Sequence, residues 1–266
     1  MYSVVTLFLG DISGSAMDRL GSEQLFHDNQ ARQRADTFFR DLDRLRFDDD
    51  AWLDHETWIR PAFAGLGDVA GLHVLDYGCG HGMASVVLAR CGAHVTAFDL
   101  SPGYLAEARA RASANGVSVP LLCADGEHLP FADGSFDRVW GNAVLHHLDL
   151  GRAARELRRV LRPRGLAVFC EPWGGNPLLN WARARLPYPG KGRTADESPL
   201  RPRDLRPLRH VFPRMAVCGF QLLSMVRRVL RPGRLTSSLE RFDARLLRHF
   251  PALQRFCRYV VLTLPR

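Results

Sequence analysis

Residues 74–82, VLDYGCGHG, constrain this chain more than any other stretch. An apolar run ends in Asp76, three glycines (Gly78, Gly80 and Gly82) alternate with other residues, and a helix-like pattern begins at Met83. A strand, a tight glycine turn and a helix in this order bring backbone close to a bound ligand, because only glycine takes such conformations without steric cost. The same rhythm repeats downstream. Strand-like runs at 72–77, 93–99, 119–125, 136–141 and 165–171 are separated by helical patterns at 83–91, 102–115 and 151–161. Strands alternating with helices at this spacing predict a mostly parallel sheet with helices on both faces, whose ligands sit at the carboxyl ends of the strands.

Two further strands are expected at 215–225 and 257–264, giving a doubly wound α/β sheet of seven strands. Upstream, apolar spacing predicts helices over 22–45 and 51–66. Residues 1–20 read as a frayed start, with Met17 an alternative first residue. The expected organisation is a helical cap over 1–66 and a core over 67–266, with lid insertions after strands 5 and 6: a substrate lid at 172–214 and a helical insertion at 226–255. Long irregular segments such as the Pro- and Gly-rich stretch after Glu171, with one helical piece at 178–185, are often functional.

The six cysteines are scattered without a CxxC pair, which argues for reduced thiols in the cytoplasm rather than a disulfide framework or zinc site. No apolar run has the length of a membrane span, and MYSVVTLFLG lacks the basic region and cleavage site of a secretory signal. Charge is divided unevenly: eleven arginines face 21 acids over 1–150, whereas 25 basic side chains face seven acids over 151–266. The second half is thus expected near an anionic substrate, a nucleic acid or an acidic membrane surface, unless the arginines only decorate solvated faces.

The turn is not a dinucleotide fingerprint, because counting from Gly78 and Gly80 the third position is Met83, and it lacks the Lys-Ser/Thr of a phosphate loop. In several segments in the right order it resembles the class I S-adenosylmethionine-dependent methyltransferases, small-molecule branch, type 11-like. VLDYGCGHG, FDLSPGYLAEAR (98–109), CADGEHLPFADGSFDRVWGNAVLHHL (123–148) and LRPRGLAVFCEP (161–172) carry the resemblance over roughly 70–172. It implies a Rossmann-like methyltransferase fold with S-adenosyl-L-methionine as cofactor. It places the methionine part by Asp76, Gly78, Cys79 and Gly80, and the ribose on Asp99 with Leu100 and Ser101. The adenine falls by Asp125, Gly126 and Glu127, Asn142 and Ala143 lie beside the sulfonium, and His147 is a further cofactor-binding residue. The absence of an Asn/Asp-Pro-Pro-aromatic motif after Trp140 counts against nucleobase amines.

Methyl transfer needs donor and acceptor in line and, for a poorly acidic acceptor, a base. Glu171 and His147 are the candidate bases, with His146 as a further one. Trp173, Tyr188 and Arg193 are the candidate acceptor-binding residues, in a lid that also offers Trp181, Phe212 and more arginines. Carboxylate, aromatics and arginines together suggest an anionic amphiphile, and the resemblance extends to prenyl diphosphate C-methyltransferases. In that reading Glu171 is the base, and arginines, or Mg²⁺ held by acids such as Asp196 and Glu197, take the diphosphate. O-methylation of a phenol, quinol or carboxylate is the alternative, and RNA methylation a weaker one, since no RNA-binding module is recognisable. Peripheral membrane contact stays open. His27, Trp52, His55 and Trp58 are candidates to line a closing cap.

Overall fold

The computed structural model describes residues 14–38, 42–185, 198–228 and 233–266. Helix α1 (Gly14–Phe38), a 3-10 turn (Leu42–Leu45), α2 (Asp49–Leu53) and α3 (Ile59–Gly65) precede the sheet. Residues 14–20, expected to fray, are helical, and the helix expected over 51–66 is two short ones. Asp48 starts α2 by accepting the amide of Ala51, a cap that contributes about 1 kcal/mol.

The core follows as β1 (His73–Tyr77), α4 (Met83–Arg90), β2 (His94–Asp99), α5 (Pro102–Ala114), β3 (Leu121–Cys123) and β4 (Phe136–Asn142). Then come α6 (Leu150–Val160), β5 (Leu161–Pro172), α7 (Pro177–Arg185), α8 (Arg206–Val211), β6 (Ala216–Phe220), α9 (Arg234–His249) and β7 (Tyr259–Pro265). The strand order is β3-β2-β1-β4-β5-β7-β6, parallel except where β7 runs antiparallel to β5 and β6. This is the expected seven-stranded, mostly parallel sheet. β6 is shorter than its apolar pattern suggested, because Gln221 takes a left-handed conformation (φ 59°) and the chain turns into a 3-10 segment, Ser224–Arg228.

Two apolar layers hold the sheet. Tyr77, Val139, Leu157 and Phe169 pack on one face, and Trp58, Val74, Trp140 and Val168 on the other. Strands covered on both sides explain why β1 and β5 read as near-continuous apolar runs. The strand order reverses between β1 and β4, and a crevice opens at their carboxyl ends, where ligands bind in such sheets. Gly82 fixes the neighbouring helices: at φ 81°, a Cβ there would stand 2.8 Å from that of Ala108, so α4 and α5 meet only over a bare backbone.

Candidate active site

A cavity of 360 Å³ lies at the carboxyl ends of β1, β2 and β4, within the size range of small-molecule sites. Asp76, Gly78, Cys79 and Gly80 of the turn line it, as do Asp99, Leu100, Asp125, Gly126, Asn142, Ala143 and His147. Sequence reasoning thus brought together most of one wall.

Each acid is held by its neighbours. Asp76 accepts the hydroxyl of Ser85 in the first turns of α4, which ties turn to helix. Burial, opposed by that bond and reinforced by nearby Asp99, pushes Asp76 up to about 7. Asp99 accepts the amides of Gly80 (2.8 Å) and Ser101 (2.9 Å), and burial raises it too. Asp125 closes its own turn by accepting the amide of Glu127 and facing Nδ1 of His128 at 2.7 Å. Three carboxyl groups thus share one wall, and a cationic ligand against them would draw Asp76 and Asp99 back toward the ionised form.

Four predicted site residues stand elsewhere. Ser101 caps α5, accepting the amide of Tyr104 and donating to Asp28. Glu127 is a buried latch, paired with Arg19 of α1 and accepting the amide of Asp149 at 2.8 Å. Glu171, fully buried, turns away from the cavity: one oxygen takes the amides of Val144 (3.0 Å) and Leu145 (2.8 Å), the other faces Nδ1 of His146 at 2.8 Å. A carboxylate with both oxygens so engaged positions a loop and is not free to take a proton from an acceptor. Trp173 is a core residue, its indole donating to the carbonyl of Arg255, and Phe212 is fully buried. Both were expected to offer aromatic surface to a ligand and are instead part of the apolar core. Tyr188, Arg193, Asp196 and Glu197 lie outside the described residues.

The opposite wall was legible only in part. α1 supplies Leu20, Glu23 and His27, α2 supplies Trp52, and His81 and Tyr104 complete the turn side. Of the four residues considered for a closing cap, His27 and Trp52 line the cavity, whereas His55 is exposed and Trp58 stacks on Tyr259 at 3.7 Å. α1 is fastened across the crevice: Arg19 donates to the carbonyl of His147 (3.2 Å), Asp28 accepts the amide of Gly103 (3.1 Å), and Tyr104 donates to Gln30 (2.7 Å). Nδ1 of His147 lies 3.3 Å from Glu23, and its ring packs against those of His146 and His27. No sequence signal marked Glu23, because the apolar spacing pointed to Leu25, which is exposed.

Residues 75–169 match the methyltransferase domain family, type 11. The chain carries a class I S-adenosylmethionine-dependent methyltransferase domain. A malonyl-[acyl-carrier protein] O-methyltransferase of Dechloromonas aromatica (strain RCB) is 40% identical to it over 127 residues, 46% of this chain and 45% of that protein. A demethylmenaquinone methyltransferase of Parafrankia sp. (strain EAN1pec) is 39% identical over 138 residues, 46% of this chain and 54% of that protein. The chain therefore spans about half the length of the curated relatives it matches. Among solved structures, a geranyl diphosphate C-methyltransferase of Streptomyces coelicolor A3(2), in complex with Mg²⁺, geranyl diphosphate and S-adenosyl-L-homocysteine, shares the fold. Its TM-score is 0.53 at 18% identity, over 78% of this chain and 77% of that one.

The residues of the methyltransferase domain fit S-adenosylmethionine. Gly80, at φ 51°, has no atom within 4 Å of where a Cβ would stand, so the turn presents bare backbone to open space. Each oxygen of Asp99 takes one amide and keeps a further lone pair for a ribose hydroxyl. His81 has a buried Nδ1 without a hydrogen-bond partner, on a ring held neutral because burial, aided by Arg34 and Arg111, lowers it to about 3. These are the open polar valences that a polar cofactor would complete.

Proposed function

We propose that this chain methylates an ionisable oxygen of a small acceptor, a phenol, quinol or carboxylate, with His147 as the group that takes the proton where one must be removed. When bound, S-adenosylmethionine supplies an electrophilic methyl on a sulfonium. The observation that carries the choice of acceptor is the exchange of roles between two residues: His147 lines the cavity beside Glu23, while Glu171 is spent on the loop after β4. Nδ1 faces Glu23 at 3.3 Å without forming a hydrogen bond, so a carboxylate stands beside the ring that takes the proton. α1 and Trp52 exclude water from the acceptor side. Asp76, Asp99 and Asp125 favour the positive charge of the bound donor over that of the neutral product left after transfer. Carbon methylation of a prenyl diphosphate with Glu171 as base is not favoured by this arrangement. The relative named as an O-methyltransferase agrees with the oxygen acceptor.

The test is mass spectrometry of the protein incubated with S-adenosylmethionine and Mg²⁺ against geranyl and farnesyl diphosphate, a phenol, a quinol and a fatty acid. O-methyl product from one of the last three is expected, and its loss in His147→Ala where the acceptor is the phenol or the quinol. Methylated diphosphate with no O-methyl product would overturn the reading.

A further inference from the structure

Among the described residues, no basic side chain of 151–266 lines the cavity, whose charged lining is acidic. Six arginines of that segment lie on two helices at the carboxyl edge of β5–β7, α7 and α9. α9 follows the 3-10 segment after β6 and leads, through a 3-10 turn at Pro251–Phe256, into β7. α7 follows β5 and adjoins the same turn: Asn176 donates to the carbonyl of Phe256, and Trp173 to that of Arg255. Because β6 runs parallel to β5, both helices stand at the carboxyl edge of the sheet, the edge that also holds the cavity.

α9 has three unlike sides. Its inner side buries Thr236, Asp243 and Leu247. Helical spacing sets Arg234, Arg241, Arg245 and Arg248 together on the opposite side, all exposed, with no ion pair among the described residues. Both acids of the helix are engaged inward: Asp243 accepts the amides of Leu222, Leu223 and Ser224, and Glu240 pairs with Arg227 at 3.1 Å. Beside the arginines run Leu235 and Phe242, 63% and 52% exposed, with Phe250 (59%) just beyond the helix end. α7 repeats the pattern without a single acid: Leu178, Trp181 and Arg185 follow one another at helical spacing, the first two 78% and 58% exposed.

We infer that this edge docks on an anionic lipid bilayer, with Leu178, Trp181, Leu235, Phe242 and Phe250 entering the headgroup layer and the α9 arginines meeting lipid phosphates. Exposed apolar side chains rimmed by cations suit a bilayer interface, where Trp favours the headgroup level and arginine reaches to phosphate. A nucleic acid would use the arginines but would leave the aliphatic side chains facing water. The consequence for the proposed reaction is that an acceptor with an apolar tail would arrive at the edge of the sheet that holds the cavity; the docking itself does not depend on that reaction.

The full chain is mixed with phosphatidylcholine vesicles and with vesicles holding about a third phosphatidylglycerol, and sedimented over a range of salt. Co-sedimentation with the anionic vesicles alone, weakening as salt rises, is expected. Arg241→Gln with Arg245→Gln should weaken binding about fivefold per charge, roughly 25-fold together, without a change in thermal melting. Trp181→Ala with Phe242→Ala should weaken it while keeping the salt dependence. Equal binding to both vesicles, no binding to either, wild-type binding by the arginine variant, or retention on duplex RNA without vesicle binding would each overturn the inference. None of these outcomes depends on methyl transfer.

Discussion

Nδ1 of His146 lies 2.8 Å from Glu171, whose other oxygen takes the amides of Val144 and Leu145. The end of β5 thereby holds the loop that carries Asn142, Ala143 and His147 into the cavity. Ala143 needs this support, since it sits at φ 56°. Glu171→Ala leaves the amides of Val144 and Leu145 without their acceptor and should cost about 3 kcal/mol, whereas Glu171→Gln keeps an acceptor and should cost less. Chemical denaturation of both variants measures the difference. A group acting only as a base would show little effect on stability in either.

Glycines two positions apart in the turn should fail differently. At Gly78 (φ 67°) a Cβ would stand 2.5 Å from Val144, so Gly78→Ala should destabilise the fold by about 2–3 kcal/mol. At Gly80 the space is open, so Gly80→Ala should cost the fold about 1–2 kcal/mol for its left-handed backbone. Its larger effect should be a cofactor affinity lowered more than tenfold, read by calorimetric titration with S-adenosylmethionine.

Asp76 should give the ligand-free protein a distinctive pH dependence. Its folded value of about 7 exceeds its ordinary 3.8, so the folded state holds the proton more tightly. Its contribution to stability is therefore fully present below pH 4 and is lost as pH rises through 7. Asp76→Asn should remove this loss, on the order of 3–4 kcal/mol, and flatten stability between pH 4 and 7. Calorimetric melting at stepped pH checks it, with Asp99, also raised by burial, sloping the remaining curve in the same direction.

His147→Ala should lower kcat about 10²- to 10⁴-fold on an acceptor that must lose a proton, with cofactor affinity within a factor of three. On a carboxylate acceptor, ionised at neutral pH, the same variant should lose much less. Steady-state kinetics on one acceptor of each kind measure the contrast.

The parallel core was readable because its signals are local. A buried strand shows as an apolar run, a turn that needs positive φ shows as glycine, and the acids at the ends of β1, β2 and β3 stand beside those turns in the chain. The helical pattern around Leu25 and Phe26 likewise found α1, though Leu25 is 58% exposed and the residues that reach the cavity are Leu20, Glu23 and His27. Nothing local separates those two sets.

The sequence by itself determined the order of strands and helices, the glycine turn, the acids beside it and the surplus of positive charge after residue 150. Only the tertiary structure decided that Glu171 faces a loop and His147 faces the cavity, that Trp173 and Phe212 are core, and that the α9 arginines share one exposed side. The physical reason is that a side chain's role at a site depends on which partners it meets. For Glu171 those partners are 25–27 residues away, for Trp173 82 residues, and for Glu127 they include Arg19, 108 residues away.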